Sequence, residues 1–115
     1  MKKIIHTDKA PAAIGPYSQA VEANGMLFIS GQIPVDPATG IVPEGIKAQT
    51  EQVMKNIAAI LQEAGYKFED VVKTTCLLSD IANFGAMNEV YAQYFLVNPP
   101  ARAAFAVRDL PKGVM

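Results

Sequence analysis

The sequence is short of the residues that disulfides, metal sites and nucleophilic catalysis need. Its 115 residues contain one cysteine, Cys76, one histidine, His6, and no tryptophan. A single cysteine excludes an intrachain disulfide and is typical of a reducing compartment. A lone histidine excludes a His-rich metal spacing and argues against a Ser-His or Cys-His nucleophile pair. We interpret His6 as a surface strand residue and Cys76 as a packed core thiol.

Charge of one sign and long apolar runs are also scarce. The net charge is -1 at pH 7, with no basic cluster, so neither nucleic acid nor an anionic membrane is predicted as a partner. No apolar run is long enough to span a bilayer, and the N-terminus lacks the features of a secretory signal. We expect a single cytoplasmic domain over residues 1–115. The hydrophobic share of 50% is high, which indicates that another subunit covers part of the surface.

Hydrophobic spacing and turn residues predict seven elements in the order β-β-β-α-β-α-β. Asn24-Gly25 indicates a hairpin between the second and third strands, and Pro99-Pro100 ends the second helix. Asp80 is predicted to cap that helix. The predicted strands are residues 2–7, 18–23, 26–30, 71–78 and 103–107; the predicted helices are Ile46–Ala64 and a second that ends at about Leu96; residues 31–45 are a loop.

This order predicts an α+β fold in which two helices cover one face of a mixed sheet. The strand at residues 71–78 has large apolar side chains on both faces. Val72, Cys76 and Leu78 are predicted on one face with Thr74, and Val71 and Leu77 on the other with Lys73 and Thr75. A sheet with helices on one side and apolar groups on both predicts subunit contact across the other side.

One arginine interrupts the apolar segment NPPARAAFAV. Residues 103–107 read as a buried strand, and no acid lies beside Arg102 in the sequence. A buried guanidinium needs a partner, because removing a charge from water is costly. That partner is either a carboxylate from elsewhere in the chain or a ligand.

Three further polar or permissive positions lie in or near loops: Tyr17, Gly31 and Asn88. Each has an ordinary structural interpretation. Tyr17 can close a core edge, Gly31 can supply a permissive backbone after a strand, and Asn88 can be a helix-surface amide. The sequence contains no phosphate loop, dinucleotide fingerprint or Cys-x-x-Cys pair.

Four segments, APAAIGPYSQA, FISGQIPVDPATG, VVKTTCLLSDIANFGAMNEVYAQYF and PPARAA, resemble the RidA (YjgF) family of reactive-intermediate imine deaminases. The resemblance covers essentially the whole chain. It implies a chorismate-mutase-like α+β fold and a homotrimer with clefts between adjacent subunits. It also implies hydrolysis of 2-imino acids or their enamine tautomers, such as 2-iminobutanoate and 2-iminopropanoate, to 2-oxo acids and ammonia. The family uses no cofactor and no metal.

The resemblance also assigns roles to individual residues. Arg102 corresponds to the arginine that binds the substrate carboxylate, and the backbone amide of Gly31 assists it. Tyr17 corresponds to a tyrosine that lines the cleft and orients substrate or water, and Asn88 to a polar residue near the pocket. Ala104 stands where family members usually have a cysteine, so only its backbone carbonyl is available to accept a hydrogen bond from the imine.

Family sequences continue after the equivalent of LPKGVM with a strand that carries a water-activating glutamate. This sequence ends at Met115, so we expect the domain to end before that strand. The alternative function is therefore a non-catalytic module that binds small carboxylates such as 2-oxo acids. A third interpretation, an inhibitor of translation with ribonuclease activity, is disfavoured by the net charge.

Overall fold

The structure, a computed structural model, describes residues 1–115, and its element order is the predicted β-β-β-α-β-α-β. The α+β class is therefore confirmed. The seven main elements are β1 (Lys3–Ile5), β2 (Ala20–Ala23), β3 (Met26–Ile29), α1 (Ile46–Ala64), β4 (Lys73–Leu78), α2 (Phe84–Ala92) and β5 (Ala101–Ala106).

The five strands form two hydrogen-bonded sheets, whereas the sequence predicted a single mixed sheet. In the first, β1, β2 and β3 are antiparallel neighbours; in the second, β4 and β5 are parallel, with α2 in the connection between them. Asn24 and Gly25 close the β2–β3 hairpin with φ values of 52° and 73°. Positive φ at both positions is typical of a type I′ turn, which confirms the hairpin predicted from these two residues.

Two apolar clusters attach the helices to the sheets. One joins α1, β4 and α2 and contains five buried side chains: Met54, Leu78, Met87, Tyr91 and Phe95. The other joins the first sheet to α1 through Ile5, Ala20 and Ile60, together with Ala10. Each sheet is therefore covered on one face by helix.

The second helix is shorter than predicted. The Asp80 carboxylate accepts a hydrogen bond of 2.9 Å from the Ala82 N–H, so Asp80 caps a 3-10 turn, Ile81–Asn83, instead of α2 itself. Helix α2 ends at Ala92. The N–H groups of Tyr94 and Phe95 donate to carbonyls three residues earlier, so the chain tightens before reaching the prolines. The predicted end at Leu96 is wrong, although Phe95 still packs in the core.

The predicted alternation of side chains between the two faces is confirmed within β4 and wrong for Val71 and Val72, which precede the strand. Leu78 is buried, and Leu77 is exposed on the other face. A 3-10 turn at Phe68–Asp70 precedes the strand and delays its start to Lys73. As a result Val71 packs against the core, whereas Val72 is 74% exposed.

The last strand begins two residues earlier than predicted, at Ala101, and it is not buried in the single chain. Phe105 is 48% exposed because it points away from the helices, as does Leu77 on the neighbouring strand. The first sheet also has an apolar outward face, which comprises Ile4, Met26 and Phe28. The predicted apolar face without helix cover is thus present on both sheets. None of the helices is both long and apolar enough to cross a membrane.

Candidate functional site

Arg102 lies on β5 with its guanidinium above two aromatic rings. Its Cζ atom is 4.8 Å from the ring centre of Tyr91 and 5.3 Å from that of Phe84. Its Nη1 group donates a hydrogen bond of 2.5 Å to the Oδ1 atom of Asn88. Cation–π contacts and one amide acceptor therefore hold the guanidinium, and other N–H donors remain free because the group has five.

No carboxylate of the chain pairs with Arg102. The ion pairs are His6–Asp8, Lys47–Glu89 and Arg108–Asp109. The sequence left two alternatives for the partner of Arg102, a carboxylate of the same chain or a ligand, and the structure excludes the first. The burial predicted for Arg102 is also wrong, because the residue is exposed at the mouth of a groove. The positive charge is thus available to an anion from outside the chain.

The groove beside Arg102 has a volume of about 700 Å³. Glu89 lies in its wall, but the Glu89 carboxylate accepts a hydrogen bond of 2.7 Å from the Lys47 ammonium, which lowers the pKa of Glu89. Glu89 is therefore ionised and paired away from Arg102. The groove is lined by Gly85, Asn88, Glu89, Tyr91, Ala92, Phe95, Pro99, Pro100 and Arg102.

Tyr17 and Gly31 line a second cleft, of about 430 Å³. Ser30 ties their two loops together: its Oγ donates to the Ser18 carbonyl at 2.6 Å and its N–H to the Gln19 carbonyl at 3.0 Å. Because Ser30 precedes Gly31 and Ser18 follows Tyr17, these bonds fix the glycine backbone beside the tyrosine loop. The Tyr17 side chain remains half exposed.

The buried side chain of Gln19 forms the floor of this second cleft. Its amide nitrogen donates to three carbonyls in the segment that follows β1, residues 7–11. Its Oε1 accepts a hydrogen bond from the Thr7 N–H at 2.8 Å. The three acceptors are the carbonyl oxygens of Thr7, Ala10 and Pro11. These hydrogen bonds hold residues 7–11, four of which line the cleft, without any regular secondary structure.

The structure therefore divides the predicted site residues into two groups. Arg102 and Asn88 share one groove, whereas Tyr17 and Gly31 share the other, and no residue lines both. Ala104 lies on β5, on the same face as Arg102 and in register with Cys76 of β4. Within one chain the two groups do not meet. Gly31 follows β3 and Arg102 lies on β5, and both strands are at the edge of their sheets.

The thiol of Cys76 packs against the core beside Ala104 of the neighbouring strand, as predicted for a core thiol. Burial raises the pKa of Cys76, and the charge of Arg102 opposes that shift only in part. The thiol is therefore neutral near pH 7. It therefore does not replace, as a nucleophile in the groove, the cysteine that family members usually have at the position of Ala104.

Sequence reasoning missed the aromatic support of Arg102. Tyr91 and Phe84 share the apolar stripe of the predicted second helix, and that spacing predicts only core packing for them. In the structure their rings also face the guanidinium. Their helical spacing carries no sign of this second role. It depends on β5 lying beside β4 and below α2, which the sequence does not specify.

The chain matches the family model described as Endoribonuclease L-PSP over residues 7–115. That model covers nearly the whole chain, including all residues that line the first groove and all but His6 of those that line the second. The chain belongs to the RidA (YjgF) family. This confirms the resemblance drawn from the four sequence segments.

Individual family members match along nearly their whole length. A RutC family protein of Pyrococcus horikoshii is 55% identical over 116 residues, which cover 100% of this chain and 92% of that protein. The 2-iminobutanoate/2-iminopropanoate deaminase of Homo sapiens is 52% identical over 98% of this chain and 83% of its own length. The crystal structure of E. coli TdcF with bound serine superposes with a TM-score of 0.94 at 43% identity, covering 97% of this chain and 91% of TdcF.

Proposed function

We propose that this RidA family member is a 2-iminobutanoate/2-iminopropanoate deaminase. It adds water to the C=N bond of a 2-imino acid, and the resulting carbinolamine expels ammonia to leave the 2-oxo acid. The observation that carries the proposal is the unpaired guanidinium of Arg102, held over two rings in an open groove. The 52% identity to the human deaminase over nearly the whole chain supports the same reaction.

In this proposal Arg102 binds the substrate carboxylate through two parallel N–H···O bonds, which the planar guanidinium is shaped to donate. Asn88 accepts one N–H and so fixes which edge of the guanidinium faces the substrate. The Gly31 N–H donates to the same carboxylate. The Ala104 carbonyl accepts a hydrogen bond from the imine nitrogen.

Tyr17 supplies the hydroxyl that orients the attacking water. Imines hydrolyse in water without a catalyst, so the protein need only orient the substrate and the attacking water and assist proton transfer to the nitrogen. The bound serine of TdcF carries the same α-carboxylate that a 2-imino acid carries, which supports a small carboxylate as the ligand of this protein.

We further propose that the active protein is a cytoplasmic homotrimer whose clefts lie between adjacent subunits. Two features support the assembly: the outward faces of both sheets carry exposed apolar side chains, and β3 and β5 have unpaired edges. An interface that brings β3 of one subunit to β5 of the next unites Gly31 and Tyr17 with Arg102. The single cysteine supports the cytoplasmic location.

A coupled assay tests the reaction. Threonine dehydratase generates 2-iminobutanoate in the presence of an amine scavenger, and release of 2-oxobutanoate is followed with and without this protein. We expect faster release with the wild-type protein and a loss of about 100-fold in kcat/KM for Arg102→Ala, because the substrate carboxylate loses the charged group proposed to bind it. Arg108→Ala is the matched control, since the Arg108 side chain is 97% exposed.

The same preparation separates the other interpretations. Unchanged release of 2-oxobutanoate together with measurable binding of 2-oxobutanoate would identify a carboxylate-binding module instead of an enzyme. The name of the matching family model, Endoribonuclease L-PSP, raises RNA cleavage as a further possibility. The net charge of -1 argues against it, and nuclease-free protein that leaves added RNA intact would exclude it.

A further inference from the structure

We propose that Thr74 and Tyr91 are positioning residues that fix the plane of the Arg102 guanidinium. Thr74 lies on β4 directly beside Arg102 on β5, so the two side chains share one face of the sheet. The Thr74 Oγ1 and Tyr91 OH atoms are hydrogen-bonded at 2.7 Å. The Tyr91 ring, fixed at its hydroxyl end, then lies 4.8 Å from the guanidinium carbon.

This arrangement restricts a side chain that otherwise has freedom to rotate. Arg102 is exposed and extends from a strand, and binding a carboxylate through two bonds requires one orientation of the guanidinium plane. The rings of Tyr91 and Phe84 contact the guanidinium, and Asn88 takes one edge. The remaining edge is therefore held ready for an anion.

The position of the Tyr91 ring depends on the Thr74 hydroxyl. Tyr91 is only 8% exposed, and its hydroxyl is hydrogen-bonded to the Thr74 hydroxyl. Without that partner the buried hydroxyl is left unsatisfied, and the ring must shift to find another. Burial raises the pKa of Tyr91, so the hydroxyl keeps its proton near pH 7 and the hydrogen bond persists.

The test compares Thr74→Val, which keeps the shape and removes the hydroxyl, with Thr74→Ser, which keeps the hydroxyl. Tyr91→Phe removes the other half of the bond. Tyr94→Phe is the matched control, because the Tyr94 hydroxyl donates to Glu51 and has no contact with Arg102. The readouts are rotation about the Nε–Cζ bond of Arg102 by NMR, the Kd for 2-oxobutanoate, KM, kcat and the melting temperature.

We expect Thr74→Val and Tyr91→Phe each to raise Kd and KM by about threefold to tenfold with little change in kcat, as the loss of one oriented contact implies. Rotation of the guanidinium becomes faster in both. The double variant is no worse than either single variant, because both remove the same bond. Thr74→Ser restores wild-type values. Tyr94→Phe lowers the melting temperature but leaves Kd and the rotation rate unchanged.

Wild-type rotation of Arg102 in Thr74→Val and Tyr91→Phe would overturn the inference, as would a Kd shift of equal size in Tyr94→Phe. The effect on substrate binding rests on the proposed function, but the rotation rate does not. If the protein neither binds 2-oxobutanoate nor accelerates its formation, the proposed function is refuted. The NMR comparison of the rotation rates still decides the present inference. If Thr74→Val fails to fold, Tyr91→Phe answers the same question.

Discussion

Tyr94 shows how one side chain couples the two helices to pH. It lies just beyond α2, and its hydroxyl donates a hydrogen bond to the Glu51 carboxylate of α1. Burial, followed by that hydrogen bond and the negative charge of Glu51, raises the pKa of Tyr94 to about 12. The usual tyrosine value of 10.0 applies to the unfolded chain. Between these two pH values the folded protein holds a proton that the unfolded chain releases.

The free energy of unfolding is therefore expected to fall as the pH rises from about 10 to about 12, because the unfolded state binds fewer protons there. Tyr94→Phe should remove part of this decline, since phenylalanine has no proton to lose. Urea unfolding of both proteins at several pH values across this interval measures the two slopes. Identical slopes would show that Tyr94 does not carry the raised pKa.

The candidate site was predictable at residue scale only where the residue type carries a chemical requirement. Arg102 stood out because a cation in an apolar run needs a partner, and the structure leaves it without an internal acid. Thr74 and Tyr91 carried no such requirement. Their relation to Arg102 depends on strand register and helix placement, and neither is specified by local spacing.

At the scale of elements, Asn56 anchors the loop between β3 and α1. Its side chain is only 1% exposed, and its Nδ2 atom donates to the carbonyls of Ile33 and Val35 at 3.1 and 3.0 Å. This loop begins with Gly31, so the helix holds one wall of the second cleft. An asparagine in the middle of a helix otherwise looks like an ordinary surface amide.

Replacing Asn56 with leucine is expected to lower the free energy of unfolding by about 2 to 3 kcal/mol. The Val35 carbonyl loses its side-chain donor, the Ile33 carbonyl keeps only the Val35 N–H, and the Gln52 amide loses its acceptor. Leucine is close in size, so the loss reports hydrogen bonding more than packing. Urea denaturation measures it. Lys55→Leu, at the exposed neighbouring position, is the control and should change stability by less than about 0.5 kcal/mol. Equal effects of the two substitutions would contradict the anchoring role.

Helix α1 was predicted with its observed bounds, whereas the second helix was not. Gly65 ends α1 in the left-handed region, with φ 85°, and the N–H groups there close on carbonyls of the last turn, so the stop is local and visible in the sequence. The end of α2 is not marked by a glycine. Its apolar stripe continues through Phe95, because a 3-10 turn can bury the same side chains.

At the scale of the whole molecule, two groups of site residues lie in separate grooves of a chain with uncovered apolar sheet faces. The high hydrophobic content and the two-faced β4 strand predicted such faces from the sequence alone. The resemblance implies clefts between adjacent subunits, but the motifs do not specify which copy of the chain supplies Arg102 and which supplies Tyr17. Both observations support the proposed site between two subunits.

The proposed homotrimer makes a quantitative prediction for mixtures of inactive variants. Arg102→Ala disables one groove and Tyr17→Ala the other, so neither variant alone should be active. When the two are unfolded together in equal amounts and reassembled, a site is intact only if each neighbour supplies its unmutated half, and about a quarter of the sites meet this condition. We therefore expect about a quarter of wild-type deaminase activity, with each variant reassembled alone as the control. A mixture as inactive as its components would mean that Arg102 and Tyr17 act within one chain or that the trimer does not form.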